Sequence, residues 1–117
     1  MKVDVRLSFA ELGEVPRLAR AVEAAGFDGL WSSEAIHDPF LCLALAAEHT
    51  ARLEVGPAIA VAFGRSPLVV AHTAWDLAAA SRGRFILGLG TQVRGHIERR
   101  FGMQWEAPAS RMREFIG

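Results

Sequence analysis

The most informative segment for the fold is Ser81-Arg82-Gly83-Arg84-Phe85-Ile86-Leu87-Gly88-Leu89-Gly90. A helical pattern over residues 67–80 precedes it, and the Ser-Arg-Gly turn then leads into an apolar run over residues 84–89. Continuous apolar runs are typical of parallel strands that are covered on both faces. The stretch therefore predicts a parallel strand that follows a helix.

The same alternation of strand and helix occurs four times along the chain. The predicted strands cover residues 3–7, 29–33, 53–60 and 84–89. The predicted helices cover residues 15–25, 39–50 and 67–80, a basic amphipathic piece covers 97–101, and a last helix starts at Ser110. Strands that alternate with helices in this way form βαβ units with a parallel sheet and right-handed crossovers.

The composition excludes several classes of protein. The chain has 117 residues, 13 basic against 13 acidic side chains, 51% hydrophobic residues and one cysteine, Cys42. A neutral chain lacks the basic surface of a nucleic-acid-binding protein, and a lone cysteine cannot form a disulfide framework. The longest apolar stretch, residues 57–63, is far shorter than the roughly 20 residues of a membrane helix. Since the first six residues are also charged rather than apolar, we expect a cytoplasmic protein with no membrane contact.

Ligands of parallel α/β folds bind at the carboxyl ends of the strands. This rule selects four segments, which are residues 8–9, 33–38, 58–66 and 88–95. The loops at the opposite ends of the strands, residues 26–29 and 81–84, are expected to serve stability. We also expect Trp31 to lie in the core and Trp75 to pack against the sheet.

Glu34, His37 and Asp38 lie within five positions after the second predicted strand. Such a cluster fits a general acid or base whose neighbouring carboxylates tune the pKa of the histidine. It equally fits a simpler interpretation, in which Glu34 or Asp38 caps the following helix and His37 is only a loop residue. A metal site would need further ligands from other strands, and we predict none.

The third and fourth segments suit a flat ring. Residues 58–63 are unusually apolar for a loop at a ligand-binding edge, which favours an aromatic cofactor. Arg65 beside them fits an anionic group, although a solvated loop arginine is the commoner case. Gly88 and Gly90 would let a ring or phosphate approach the backbone closely, although close packing at a strand end explains them as well. A dinucleotide fingerprint is excluded because Val93 stands where its third glycine is required.

Five pieces of sequence, taken in order, resemble the bacterial luciferase-like monooxygenases. They are residues 25–31, Gly56, residues 65–67, Asp76-Leu77 and residues 81–90. Residues 33–40 and Gly90-Thr91-Gln92 are most similar to the branch that uses the deazaflavin coenzyme F420. The resemblance covers essentially the whole chain.

The resemblance implies an α/β fold of the (β/α)8 TIM-barrel type. Residues 1–117 would be a single domain that forms its N-terminal half, about four βα units of a truncated or longer protein. It further implies a non-prolyl cis peptide at Ala58–Ile59 in a bulge that supports the cofactor ring. The expected cofactor-binding residues are Ala58, Ile59, Ala60, Gly90, Thr91 and Gln92. His37 would give or take the proton, with Glu34 orienting it, although the histidine of the family aligns with Ala35.

Three functions follow from this resemblance. The first is an oxidoreductase that transfers a hydride between coenzyme F420 and a small organic substrate. The second keeps the fold and uses FMN for monooxygenation. The third is an inactive barrel fragment that acts only through self-association. The parent family is enzymatic and is expected to form a homodimer, whereas the activity of the 117-residue chain by itself stays open.

Overall fold

The computed structural model describes residues 1–7 and 11–117, with side chains at all of these except 95 and 96. Its strands are β1 (Asp4–Leu7), β2 (Gly29–Ser32), β3 (Glu54–Pro57), β4 (Ala60–Val61) and β5 (Leu89–Gly90). Its helices are α1 (Val15–Ala24), α2 (Leu41–Glu48), α3 (Pro67–Ala80), α4 (Arg94–Arg100) and α5 (Pro108–Ile116). Short 3-10 helices cover Leu12–Glu14 and Ala62–Gly64. The predicted alternation of strands and helices is confirmed.

The strands β1, β2 and β3 form a parallel sheet in that order. Asp4 pairs with Gly29, and Gly29 pairs in turn with Glu54, so the three strands start at the same level. Each connection between neighbouring parallel strands runs through a helix, as a βαβ unit requires. The carboxyl ends of the strands therefore lie together at one edge.

The third predicted strand, residues 53–60, is interrupted by a bulge at residues 58–59. The strand β3 ends at Pro57, and β4 resumes at Ala60 and pairs in parallel with β5. Before the bulge, only a bridge between Val55 and Phe85 joins the third and fourth predicted strands. The prediction of one regular strand over residues 84–89 is therefore wrong in extent. The physical reason is that the bulge breaks the ladder on the facing strand as well.

The main core lies between one face of the sheet and the helices α1 and α2. Val5 and Leu7 of β1 pack against it, and its buried members include Leu30, Leu43 and Val55. Because side chains alternate across a strand, Asp4, Arg6 and Trp31 lie on the other face of the sheet. Trp31 is half-buried there and donates its indole N–H to Asp4 Oδ2 at 2.9 Å. It is therefore outside the main core that the sequence predicted for it.

The position of Trp75 contradicts a second prediction. It lies on α3 with 78% of its surface exposed, so it does not pack against the sheet. The buried residues of α3 are Val70 and Leu77, seven positions apart, which is two helical turns. Trp75 falls on another side of the helix, together with the exposed Leu68.

The loops at the amino ends of the strands are held by dense hydrogen bonding, as expected of stability loops. Arg84 donates to the carbonyls of Ala47, Thr50, Leu53 and Ser81 and to the Thr50 hydroxyl, at 2.7–3.1 Å. Asp28 accepts the Val3 amide at 2.8 Å, which fixes the start of β1. The polar groups at this edge of the sheet therefore bond mainly to one another.

The chain after β5 packs over the end of the sheet. A second cluster of buried residues contains Val61, Ala62, Phe63 and Ile97, and Trp105 meets the Phe63 ring edge-on at 6.1 Å. The helix α5 begins at Pro108, two residues before the predicted start, with Pro in its first turn. The described part of the chain contains no helix with the length and apolar content needed to cross a bilayer.

Candidate functional site

The bulge between β3 and β4 lies at the carboxyl edge of the sheet. The Ala58–Ile59 peptide bond is cis, as the sequence predicted. Ala58 donates its amide hydrogen to the Ser32 carbonyl at 2.7 Å, and Ala60 donates to the Gly88 carbonyl at 2.9 Å. Within the described residues, nothing bonds to the Ala58 carbonyl or to the Ile59 N–H. The bulge therefore presents one acceptor and one donor beside apolar side chains.

Gly90 lies directly against this bulge. A Cβ atom at position 90 would overlap the Cδ1 of Ile59, so the Ile59 side chain occupies the space that only glycine leaves free. Thr91 follows and donates its hydroxyl to the Gln92 carbonyl at 3.2 Å. Gln92 has a φ of 59°, in the left-handed region that non-glycine residues rarely adopt. The structure thus brings the two segments predicted to bind a cofactor into one surface.

Glu34 is bound to Arg65. Its Oε1 accepts from Arg65 Nη1 at 2.6 Å and from the Val61 amide at 2.6 Å, and its Oε2 accepts from Arg65 Nη2 at 2.5 Å. The predicted orientation of His37 by Glu34 is therefore wrong, because these bonds direct both carboxylate oxygens to Arg65 and Val61. The prediction that Arg65 would meet an external anionic group is corrected for the same reason.

Arg65 is held on several sides. Its guanidinium lies 5.2 Å from the centre of the Phe40 ring and 3.6 Å from Asp38 Oδ1. The hydrogen bond that Arg65 donates to Glu34 is the main cause that raises the pKa of Arg65, against the opposing effect of burial. Arg65 therefore stays charged, and it neutralises the carboxylate of Glu34 at short range.

Asp38 takes the capping role that the simpler interpretation gave it. Its Oδ2 accepts the amide hydrogens of Phe40 and Leu41 at 2.7 Å each, at the start of α2. This bonding stabilises the helix, because the first amides of a helix have no partner within it.

His37 is exposed at the mouth of a cleft beside the carboxyl ends of β1 and β2. Arg6, Ser33 and Asp38 line the same cleft, and its apolar side includes Leu7 and Ile36. Across the mouth, Arg100 of α4 donates to the Ala35 carbonyl. His37 is thus exposed beside this cleft and has no hydrogen-bond partner among the described residues.

Arg6 is the residue of this cleft that sequence reasoning missed. Its signal was weak, since it is one charged residue in an alternating strand pattern, and only the pairing of β1 with β2 shows which face it takes. The segment at residues 8–9, which the sequence predicted as part of the ligand-binding edge, lies outside the described residues. Among the described side chains, no three His, Cys, Asp or Glu residues are grouped to hold a metal ion.

The family assignment rests on a match that covers nearly the whole chain. A model of the family described as luciferase-like monooxygenase matches residues 2–117. The chain belongs to the luciferase-like monooxygenase family. Its parallel strands and their helices are therefore part of the TIM-type barrel of that family.

Curated relatives of this luciferase-like chain include uncharacterized and provisionally named proteins. An uncharacterized protein of Mycobacterium tuberculosis is 61% identical over 111 residues, which cover 89% of this chain and 33% of that protein. Another protein of that organism, provisionally named a coenzyme F420-dependent oxidoreductase, is 35% identical over 85% of this chain and 29% of its own length. The chain thus spans about a third of the relatives it matches.

Solved structures show the same fold. The oxygenating constituent of 3,6-diketocamphane monooxygenase from Pseudomonas putida, in complex with FMN, superposes with a TM-score of 0.85 at 18% identity, over 99% of this chain and 37% of that one. The coenzyme F420-dependent tetrahydromethanopterin reductase from Methanopyrus kandleri superposes with a TM-score of 0.83 at 23% identity, over 98% and 38%. At these identities the likeness shows the fold alone.

Proposed function

We propose that the protein is an oxidoreductase that transfers a hydride between coenzyme F420 and a small organic substrate. The observation that carries the proposal is the surface made by Ala58, Ile59 and Gly90, where the Ile59 side chain fills the space beside the glycine and an apolar bulge lies at the carboxyl edge of the sheet. The relative named as F420-dependent, 35% identical to this chain, supports the deazaflavin over FMN.

The residues present fit a flat tricyclic ring. One side of such a ring is apolar in character and would lie on Ala58, Ile59 and Ala60, while its polar edge needs hydrogen-bond partners. The Ala58 carbonyl and the Ile59 N–H have no partner within the described residues and would supply them. Thr91 and Gln92 would flank the ring from the next strand. When bound, F420 supplies the carbon that gives or accepts the hydride.

The protein would hold the ring and the substrate in position and would supply one proton-exchanging group. The bulge is fixed from behind by the Glu34–Arg65 pair through the Val61 amide, so the ring would rest on a rigid wall. Such positioning of two reactants is a large part of catalysis by enzymes that hold a cofactor. His37, exposed in the neighbouring cleft, would exchange a proton with the substrate at its imidazole.

Binding of each cofactor to the intact protein tests this proposal. We expect F420 to bind tightly, with a change in its ring fluorescence, and FMN to bind at least about tenfold more weakly. Gly90→Ala should weaken F420 binding by about tenfold, because the new Cβ displaces Ile59 from the wall. Gly13→Ala is the control, since a Cβ at Gly13 meets nothing within 4 Å. Tight FMN binding without F420 binding would contradict the proposal and favour the monooxygenase alternative.

The proton role of His37 has its own test. His37→Gln should lower turnover by about 10²–10⁴-fold while leaving F420 affinity unchanged, since general acid–base catalysis contributes gains of that order. His72→Gln is the matched control, because His72 is an exposed histidine of α3 away from the cleft. Equal turnover in the two variants would show that His37 is only a loop residue.

Self-association is a further part of the proposal. The helix α3 exposes Leu68, Val69 and Trp75 with 64%, 57% and 78% of their surfaces accessible. Exposed apolar groups of this size favour contact with another protein surface, which supports the expected homodimer. Analytical ultracentrifugation of the parent and of Trp75→Gln should show a dimer that the substitution weakens. A monomeric parent would contradict it.

A further inference from the structure

Arg6 is a cation directed toward the carboxyl-edge cleft. Its neighbours in the strand, Val5 and Leu7, pack into the main core beneath α1 and α2. Side chains alternate along a strand, so Arg6 projects from the opposite face of the sheet. Arg6 also pairs in register with Trp31, which shares that face. The guanidinium is therefore separated from the core by the sheet itself and lines the cleft.

The Arg6 guanidinium is held in one orientation, but only one of its three nitrogens donates a hydrogen bond within the described residues. Its Nε donates to the Ser33 hydroxyl at 2.7 Å, which fixes the plane of the group. In the part of the chain that the structure describes, the two terminal nitrogens have no acceptor, and no carboxylate lies within 4 Å of them. Two parallel N–H donors are thus presented to the cleft in the geometry that binds a carboxylate or phosphate.

The carboxylates around the cleft are engaged elsewhere. Glu34 is bound by Arg65, and Asp38 caps α2 and faces the same arginine. Asp4, two residues before Arg6 on the same face, accepts the Trp31 indole hydrogen. Glu34 and Asp38 therefore face Arg65, whereas no carboxylate of the described residues lies within 4 Å of the Arg6 guanidinium. The cleft consequently favours an anion.

We propose that Arg6 binds an anionic group of the organic substrate, a carboxylate or a phosphate, with Ser33 holding the guanidinium in place. This inference rests on the proposed function, because it takes the ring to lie on the bulge at Ala58–Ile59. Arg6 is two strands away from that bulge, which at about 4.8 Å per strand is about 10 Å. A substrate anchored at Arg6 would thus extend toward the ring, with His37 beside the path.

Calorimetric titration of the intact protein with sodium hexanoate and with inorganic phosphate tests the proposal. The variants are Arg6→Gln and, as a control, Arg20→Gln, since Arg20 is an exposed arginine of α1. We expect Arg6→Gln to weaken binding of the preferred anion by about tenfold or more, with Arg20→Gln unchanged. Hexanamide, which has no charge, should bind the three proteins alike. Arg6→Lys keeps the charge and loses the planar fork, so its affinity should fall between the parent and Arg6→Gln.

Equal anion affinities of Arg6→Gln and Arg20→Gln would overturn the proposal. A second overturning result is weaker binding of F420 by Arg6→Gln with unchanged binding of the deazaflavin ring lacking its phosphate tail. Arg6 would then hold the cofactor phosphate instead. If neither F420 nor FMN binds the protein while hexanoate affinity still depends on Arg6, the anion site stands and the proposed function fails. The two hypotheses are therefore separated by independent titrations.

Discussion

Arg65 and Glu34 are joined by two parallel hydrogen bonds, from Nη1 to Oε1 at 2.6 Å and from Nη2 to Oε2 at 2.5 Å. The same pair reaches Val61, whose amide donates to Glu34 at 2.6 Å and whose carbonyl accepts from Arg65 at 2.9 Å. Since Val61 lies in β4, directly after the bulge, the pair connects the loop after β2 to the strand that carries the proposed ring wall. We therefore expect this ion pair to affect both the stability of the fold and the position of the proposed ring wall.

Loss of the negative charge at Glu34 should destabilise the protein. Glu34→Gln keeps the shape of the side chain, but leaves the Arg65 guanidinium without the carboxylate that neutralises it. The two side chains are only 10% and 17% exposed, so we expect a loss of about 2–4 kcal/mol in the free energy of unfolding. Urea denaturation of the parent and the variant measures it.

A surface pair gives the control for this prediction. Lys2 donates to Glu54 at 2.5 Å, with side chains 69% and 31% exposed, and exposed pairs contribute little. Lys2→Met should therefore leave the urea midpoint close to that of the parent. Comparable losses in Lys2→Met and Glu34→Gln would show that burial does not distinguish the two ion pairs.

Gly56 is required by close approach of two strands. A Cβ at this position would overlap the Ile86 carbonyl oxygen, which is backbone, and would lie 2.7 Å from the Trp31 ring. Because the backbone of the facing segment cannot rotate away, Gly56→Ala should cost about 2–3 kcal/mol of unfolding free energy. Thermal unfolding should show a lower midpoint for Gly56→Ala and an unchanged or higher one for Gly13→Ala. A midpoint for Gly56→Ala equal to that of the parent would contradict the close approach.

Glu23 should make the stability depend on pH. It accepts the backbone amides of Ala51, Arg52 and Leu53 at 2.9–3.1 Å. Burial acts to raise the pKa of Glu23, but these hydrogen bonds outweigh it and hold the pKa below the ordinary value of 4.5. A carboxyl with a lowered folded-state pKa stabilises the fold above its unfolded pKa, and this contribution is lost as the pH falls through the folded value.

Comparison of Glu23→Gln with the parent across pH measures this contribution. The variant should be less stable at pH 7, and the difference should shrink as the pH falls below about 4.5. Glu14→Gln serves as the control, because Glu14 is exposed and its side chain caps no helix. A stability difference that stays constant from neutral to acid pH would rule out ionisation of Glu23 as its cause.

The helices and their alternation with strands could be predicted because their signals are local. The helix α3 matches its predicted bounds, since Pro67 stands at its start and Gly83, with a φ of 82°, follows its end. The prediction of a regular strand over residues 84–89 is wrong because pairing there depends on a bulge in another strand. The alternating pattern contains no information about that distant break.

The site was predictable where it depended on a resemblance and unpredictable where it depended on pairing across space. The resemblance implies a cis peptide at Ala58–Ile59, and the bond is cis. Glu34 and Arg65, in contrast, are 31 positions apart and meet only because the loops after β2 and β4 lie side by side. The face taken by Arg6 likewise follows from the pairing of β1 with β2, which composition cannot show.

Arg84 should affect stability without affecting the site. Its guanidinium donates five hydrogen bonds, and four of these go to carbonyl oxygens. They lie at the amino edge of the sheet, opposite to the bulge. A lysine keeps the charge but cannot reproduce this planar set of donors, so several acceptors lose their partner. Arg84→Lys should lower the free energy of unfolding by about 2–3 kcal/mol.

The ligand-binding edge is separated from this loop by the length of the sheet. F420 affinity of folded Arg84→Lys should therefore equal that of the parent, in contrast to Gly90→Ala. Arg82→Gln provides the matched control for stability, because the Arg82 side chain is exposed and its backbone, with a φ of 55°, is unchanged by the substitution. If Arg84→Lys weakened F420 binding at a temperature where it is fully folded, the amino-edge loop would have to act on the site. The division of the barrel into a stability edge and a binding edge would then fail for this protein.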